Sequence, residues 1–167
     1  MEKTLRIYSY KRNENTIIKI VHSFELDNRK ERLYVSKSEI SSYQKKIKAI
    51  HDKLKTSSNY VGTYLDFDGI DSDTNETDVY LIPYFGINKG ERSVEVGKND
   101  WGYIPKDWEE NLTVLFKNCK QYGAVLKAVK EIGYTLDDKE VKEVKKALKQ
   151  GYEFEKTVEV KQSRSYW

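Results

Sequence analysis

A chain of 167 residues with 38% hydrophobic and 13% aromatic content is long enough for a real core and too rich in aromatics to be disordered. A mean hydropathy of -0.80 and 34% charged residues describe a strongly polar surface, and no apolar run follows Met1 or is long enough to span a bilayer. The single cysteine, Cys119, excludes an intramolecular disulfide and a cysteine-based zinc site, so the cytosol is the expected compartment.

The net charge of +3 is unevenly distributed. Residues 1–55 hold 14 Lys and Arg against 7 Asp and Glu, residues 56–105 hold 3 against 9, and residues 106–167 hold 13 against 11. A basic first third beside an acidic middle favours an oriented encounter with a charged partner over uniform attraction to polyanions. Basic residues are mostly Lys and are accompanied by many Ile, Asn and Tyr, a composition that fits an AT-rich coding source such as a low-GC bacterium, a phage or a mobile element.

In chain order, Thr4 to Leu54 reads as three alternating strands and a helix. Leu5, Ile7 and Ser9 share one face of the first strand, with Arg6, Tyr8 and Tyr10 on the other. The second carries Ile18, Ile20, His22, Phe24 and Leu26 on one face, and Ile17, Lys19, Val21, Ser23 and Glu25 opposite. The third sets Leu33 and Val35 against Arg32 and Tyr34. Asn13-Glu14-Asn15 and Asp27-Asn28 supply the turns, which predicts a three-stranded meander. Ile40, Tyr43, Ile47, Ile50 and Leu54 recur at spacings of three and four, the stripe of an amphipathic helix. Ser36 and Glu39 match the S-x-x-E of a capping box at its start.

A second meander is expected from Tyr60 to Asp68, Asp78 to Ile87 and Ser93 to Val96, with Pro83 marking an edge or a bulge. Asn99 to Lys106 reads as a loop. From Asp107 the apolar period becomes helical, through Trp108, Leu112, Leu115, Phe116 and Cys119 and again through Val125, Leu126, Val129 and Ile132, with Gly123 as a break between two helices. Gly133 fits a left-handed C-terminal cap, Asp137 caps a last helix with Val141, Val144, Ala147 and Leu148, and Gly151 ends it. Tyr152 to Lys161 is a final strand, and Ser163 to Trp167 a loose tail. The expected architecture is therefore α+β in one domain, 1–167: two antiparallel β-meanders, an amphipathic helix after the first, and a helical C-terminal part closed by a final strand. Its sub-units would be 1–58, 59–105 and 106–167.

Two stretches carry the candidate chemistry. The outer face of the first sheet gathers Arg6, Tyr8, Tyr10, Lys19, Arg32 and Tyr34, with Lys11, Arg12, Arg29 and Lys30 in the adjoining turns. Cations neutralise phosphates and tyrosines stack on bases, so this platform suits nucleic acid. The order of three strands and a helix resembles, in architecture, the arm-binding domains of phage integrases, which present a sheet to DNA. The second stretch is acidic. Asp66 and Asp68, two apart on a strand, share a face and could hold a divalent cation; Asp71, Asp73, Glu76 and Asp78 follow. Asp66-Phe67-Asp68-Gly69 resembles the D-x-D-G of haloacid-dehalogenase-type phosphatases and the D-x-D of primase-polymerases, but no further motif of either family follows in order. Ala124 to Lys149 resembles a helix-turn-helix, though its turn is long and Glu140 and Glu143 would repel phosphate; an αα-hairpin packed on the sheets is the expectation.

His22 and Cys119 read as core residues, and phosphate-binding glycine loops and serine-hydrolase motifs are absent from the sequence. The leading functional expectation is a non-enzymatic protein, without cofactor, that docks on nucleic acid or on a nucleic-acid-handling protein. One version is a phage or mobile-element factor inhibiting a host defence nuclease through Asp71, Asp73 and Glu76. The alternatives are a metal-dependent phosphodiesterase using Asp66 and Asp68, and a structural or assembly protein.

Overall fold

In a computed structural model of the protein, residues 2–25, 32–69, 84–85, 101–105 and 108–160 are described. Asn13 and Glu14 take positive φ angles of 49° and 71°, the signature of a type I′ two-residue turn. Its twist matches that of the flanking strands, and it locks β1 (Glu2–Arg12) against β2 (Asn15–Glu25) with Ile7 opposite Ile20 and Tyr8 opposite Lys19. This hairpin is the one expected from the alternation.

The next strand departs from the expectation. β3 (Arg32–Ser36) does not join β2 but pairs with β6 (Trp101–Pro105) in a separate two-stranded sheet, Tyr34 opposite Tyr103. The reason is that both edges of β2 are occupied: β1 takes one, and β7 (Trp108–Lys117) takes the other from Ile17 to Glu25. The stretch read as a loop around Trp101 is thus a strand. The stretch read as a helix from Trp108 is the central strand of the main sheet. Its Leu112-Thr113-Val114-Leu115-Phe116 run is covered on both faces, with Thr113 and Val114 both buried. A strand covered on both faces loses strict alternation, and its apolar residues then satisfy helical spacing by accident.

Among the described residues the main sheet has six strands in the order β5-β4-β7-β2-β1-β8, every pair antiparallel, where β4 is Tyr60–Gly69, β5 is Tyr84–Phe85 and β8 is Phe154–Glu159. It draws strands from the beginning, middle and end of the chain. A register shift between Tyr60 and Gly62 marks a bulge in β4. Of the second expected meander, only β4 and the Tyr84–Phe85 piece of its neighbour fall among the described residues; Pro83, Ser93 to Val96, the acidic 70–78 stretch and the 163–167 tail lie outside them.

One face of this sheet is the floor of the core: Leu5, Ile7, Ile18, Ile20, Leu65, Phe85, Leu112, Val114, Phe116 and Phe154. Among the described residues three helices cover it. α1 (Lys37–Leu54) lays down Tyr43, Ile47, Ile50 and Leu54 and packs on β4 and β5; its start at Lys37 leaves Ser36 at the N-cap position. α2 (Gly123–Glu131) contributes Val125, Ala128 and Val129 and is tied to α1 by the Lys53–Glu131 ion pair at 3.0 Å. After α2, Gly133 at φ 104° lets the Tyr134 amide reach back to the Val129 carbonyl, the left-handed cap foreseen there. α3 (Asp138–Gln150) opens on a capping box in which Asp137 accepts from the Glu140 amide and Glu140 accepts from the Asp137 amide. It ends at left-handed Gly151 and packs on β1 and β8 through Val144, Ala147 and Leu148. Among the described residues no helix is long and apolar enough to cross a membrane.

Candidate nucleic-acid interface

The helices occupy one face of the sheet, and the other carries the polar half of each alternation. Arg6 lies opposite Val21 and Tyr8 opposite Lys19, and Lys19 in turn lies opposite Leu115 of β7. Tyr64 of β4 pairs with Thr113, one register step along. Strand pairing therefore brings Arg6, Tyr8, Tyr10 and Lys19 onto one surface, as the sequence indicates. The rings of Tyr8 and Tyr10 are 6.3 Å apart and tilted by 38°, and Tyr10 is 38% exposed.

Lys19 is the electrostatic centre of this surface. Partial burial disfavours its ammonium, but the phenol oxygens of Tyr64 and Tyr8, a hydrogen bond with Tyr8, and Tyr10 together outweigh that cost. The amine is held above its ordinary pKa and carries a fixed positive charge at neutral pH. Toward the turn Arg12 is exposed, whereas Lys11 shares the phase of Leu5 and Ile7 and donates to Thr16 Oγ1 at 2.6 Å, so it belongs to the opposite side of the hairpin.

β8 stops opposite Ile7, so β1 runs on from Tyr8 to Arg12 without a β8 neighbour. The corner of the sheet is thereby stepped, and both tyrosines stand where the face meets an edge. Three asparagines brace the ends of the adjoining strands. Asn118, at φ 52°, accepts from the Thr16 amide and donates to Asn15 Oδ1, while Asn59 donates to the Lys117 and Asn118 carbonyls.

Not every predicted site residue joins this surface. Arg32 and Tyr34 sit on β3 and are paired with Pro105 and Tyr103 of the second sheet, so the strand pairing expected to place them beside Lys19 does not exist. Asp71, Asp73 and Glu76, like Arg29 and Lys30, lie outside the described residues. Asp66 and Asp68 fall on β4, opposite Asn111 and Glu109. Glu109 is itself opposite Glu25 of β2, so the register sets three acidic positions, 25, 109 and 68, in one row across three strands. Like charges directly opposite destabilise a sheet, which makes the row conspicuous. It lies at the end of the sheet away from the β1–β2 turn. Among the described residues no three His, Cys, Asp or Glu side chains gather as metal ligands.

Sequence reading missed one polar group altogether. Glu110 points into the core and is 0% exposed; Tyr43 donates to its Oε2 at 3.2 Å, and its Oε1 has no hydrogen-bond partner among the described residues. Burial drives its carboxyl well above the ordinary carboxylate range, against the opposing pull of the Tyr43 hydrogen bond and the Lys46 charge. On the same floor, His22 Nδ1 meets the Tyr134 hydroxyl at 2.7 Å, and burial, with Lys3 and Lys46, lowers the imidazole to about 4. Lys3 lies 4.5 Å from the centre of the Tyr134 ring and donates to the Gly133 carbonyl. The signal for Glu110 is present in sequence once Trp108 to Lys117 is read with period two: it shares a phase with Leu112, Val114 and Phe116. The other histidine, His51, meets the Tyr60 hydroxyl at 2.8 Å, and Tyr60 continues to Thr63 Oγ1 at 2.7 Å. Cys119 is buried and donates to the Gln121 carbonyl, and burial pushes its thiol up, the behaviour of a small core residue.

The fold defines an α+β protein with one helix-covered sheet face and a second face on which Arg6, Tyr8, Tyr10 and Lys19 gather toward one corner while Val21, Ser23 and Thr113 are buried. No protein-family model, no curated protein and no solved structure matches the chain.

Proposed function

We propose that this is a non-enzymatic binding protein that docks on nucleic acid through the outer face of the β1–β2 hairpin. The observation that carries the reading is the Lys19 ammonium, set among Tyr8, Tyr10 and Tyr64, with Arg6 on the same surface opposite Glu155 of β8 and Arg12 exposed toward the turn. Fixed cations release counterions from phosphates, and aromatic rings supply stacking surface for bases, so the two residue types together fit a polynucleotide better than a simple anion. Filter retention of mixed-sequence oligonucleotides tests it. Wild-type protein should retain them in a salt-sensitive manner, Arg6→Glu/Lys19→Glu should abolish retention, and absence of retention by wild type at low salt would sink the reading.

The row of acidic positions 25, 109 and 68 supports a second reading, docking on a basic nucleic-acid-handling protein such as a nuclease. In that reading the acidic end of the sheet stands in for the strand, and Asp71, Asp73 and Glu76, which follow β4 in sequence, add acidic charge to the chain. Charge reversal at Glu25 and Glu109 would then abolish docking, whereas capture unchanged by that reversal would exclude it.

A further inference from the structure

We infer that the hairpin face takes single-stranded nucleic acid in preference to duplex, with unstacked bases laid on Tyr8 and Tyr10 and the backbone led past Lys19 and Arg6. The inference rests on the nucleic-acid reading above and specifies its ligand.

The first argument is spacing. A stacked strand rises about 3.4 Å per nucleotide, whereas the two tyrosine rings are 6.3 Å apart. Two rings at nearly twice the stacked interval can each receive a base only from a strand whose stack has been opened. The bases of a duplex have both faces covered by their neighbours and offer none to a ring. The second argument is shape. Direct reading of duplex calls for a helix or a projecting ribbon to enter a major groove about 8.5 Å deep. Here β2 is paired with β7 as far as Ile17, Asn118 holds Thr16 and Asn15, and the exposed turn carries the carboxylate of Glu14. A tip braced on that side and bearing a negative charge is poorly made to enter a groove, while the stepped corner leaves the half-buried Tyr8 and the 38% exposed Tyr10 on an edge without a β8 partner.

The third argument is charge layout. Lys19 lies toward the turn, Arg6 lies mid-strand between Val21 of β2 and the exposed Glu155 of β8, and the acidic positions 25, 109 and 68 lie at the end of the sheet away from the turn. Repulsion from that end confines a polyanion to the tyrosine corner, which favours a short footprint of a few nucleotides over the long track of a rigid duplex.

Fluorescence anisotropy with labelled DNA and RNA strands of about 12 nucleotides, and with the matching DNA duplex, tests the inference at roughly 50 and 200 mM salt. The single strands should bind at least about tenfold more tightly than duplex, and each Tyr→Leu change at Tyr8 and Tyr10 should weaken single-strand binding by roughly tenfold while duplex binding changes less than about threefold. Tyr8→Phe/Tyr10→Phe keeps both rings and should retain single-strand binding, which separates lost stacking from a disturbed fold. Lys19→Gln should weaken both ligands and lower the salt slope by about one. Equal binding of strand and duplex, or indifference of strand binding to the leucine changes, overturns the single-strand inference and leaves the broader reading standing. No binding of any nucleic acid at low salt overturns both.

Discussion

Glu110 shows how one residue can oppose the fold that contains it. Its carboxyl is buried with, among the described residues, a hydrogen bond from Tyr43 and an unpartnered Oε1, and burial raises its pKa well above the ordinary value. The unfolded chain releases this proton first, so the stability that Glu110 allows is complete below its unfolded pKa and declines as pH rises from there toward the folded value. His22 acts in the opposite direction. Its folded pKa of about 4 lies below the ordinary 6.5, so stability is complete above 6.5 and is lost as pH falls toward 4, by an amount on the order of 3 kcal/mol. Glu110→Gln should therefore leave the protein more stable than wild type in urea unfolding at about pH 8, by at least about 1 kcal/mol. The advantage should vanish near pH 4.5, where the acid-side loss from His22 remains in both proteins. An advantage that grows toward acid would contradict the assignment of a neutral Glu110.

At the scale of elements, the helices are specified locally and the strands by their neighbours. α3 carries its own start and stop: the reciprocal Asp137–Glu140 bonds at one end and left-handed Gly151 at the other. Lys156 of β8 reaches the Thr135 carbonyl and Glu140, joining the cap to the sheet. Asp137→Ala should lower stability by about 1 kcal/mol in thermal or urea unfolding, since it exposes the Glu140 amide and releases one side of the box. A change below a few tenths would mean that the Lys156 contacts alone hold this end. β7 has no such local markers. Its Trp108, Leu112, Leu115 and Phe116 satisfy a helical spacing and, from Glu110 onward, an alternating one, and only the partners β2 and β4 decide between them.

Across the whole molecule, the bipolar charge visible in sequence becomes two ends of one sheet surface. Lys19 lies toward the β1–β2 turn, Arg6 lies mid-strand opposite Val21 and Glu155, and the acidic row 25, 109 and 68 lies at the far end. Two functional readings divide over these ends, and one pair of substitutions separates them. Under nucleic-acid docking, Glu25→Lys/Glu109→Lys removes the repulsive end and should tighten binding by several-fold at low salt, with a steeper salt dependence. Under docking on a basic protein the same change abolishes binding. Loosened nucleic-acid binding in this variant would contradict the proposed charge layout.

The sequence by itself determined what depends on near neighbours. The β1–β2 hairpin, the α1 stripe from Tyr43 to Leu54, the glycine caps at 133 and 151, the Asp137 box and the strand from Phe154 were all legible, because periodicity and capping act within a few residues. So was most of the candidate face: Arg6, Tyr8, Tyr10 and Lys19 share a surface by alternation alone. Tertiary structure decided the rest. Only the occupation of both edges of β2 sends β3, with Arg32 and Tyr34, to a second sheet. Only insertion of β7 between β2 and β4 turns an apparently helical stretch into the central strand, buries Glu110 and aligns Glu25, Glu109 and Asp68. Strand pairing joins residues far apart in the chain, and no local pattern records which edge a strand will find.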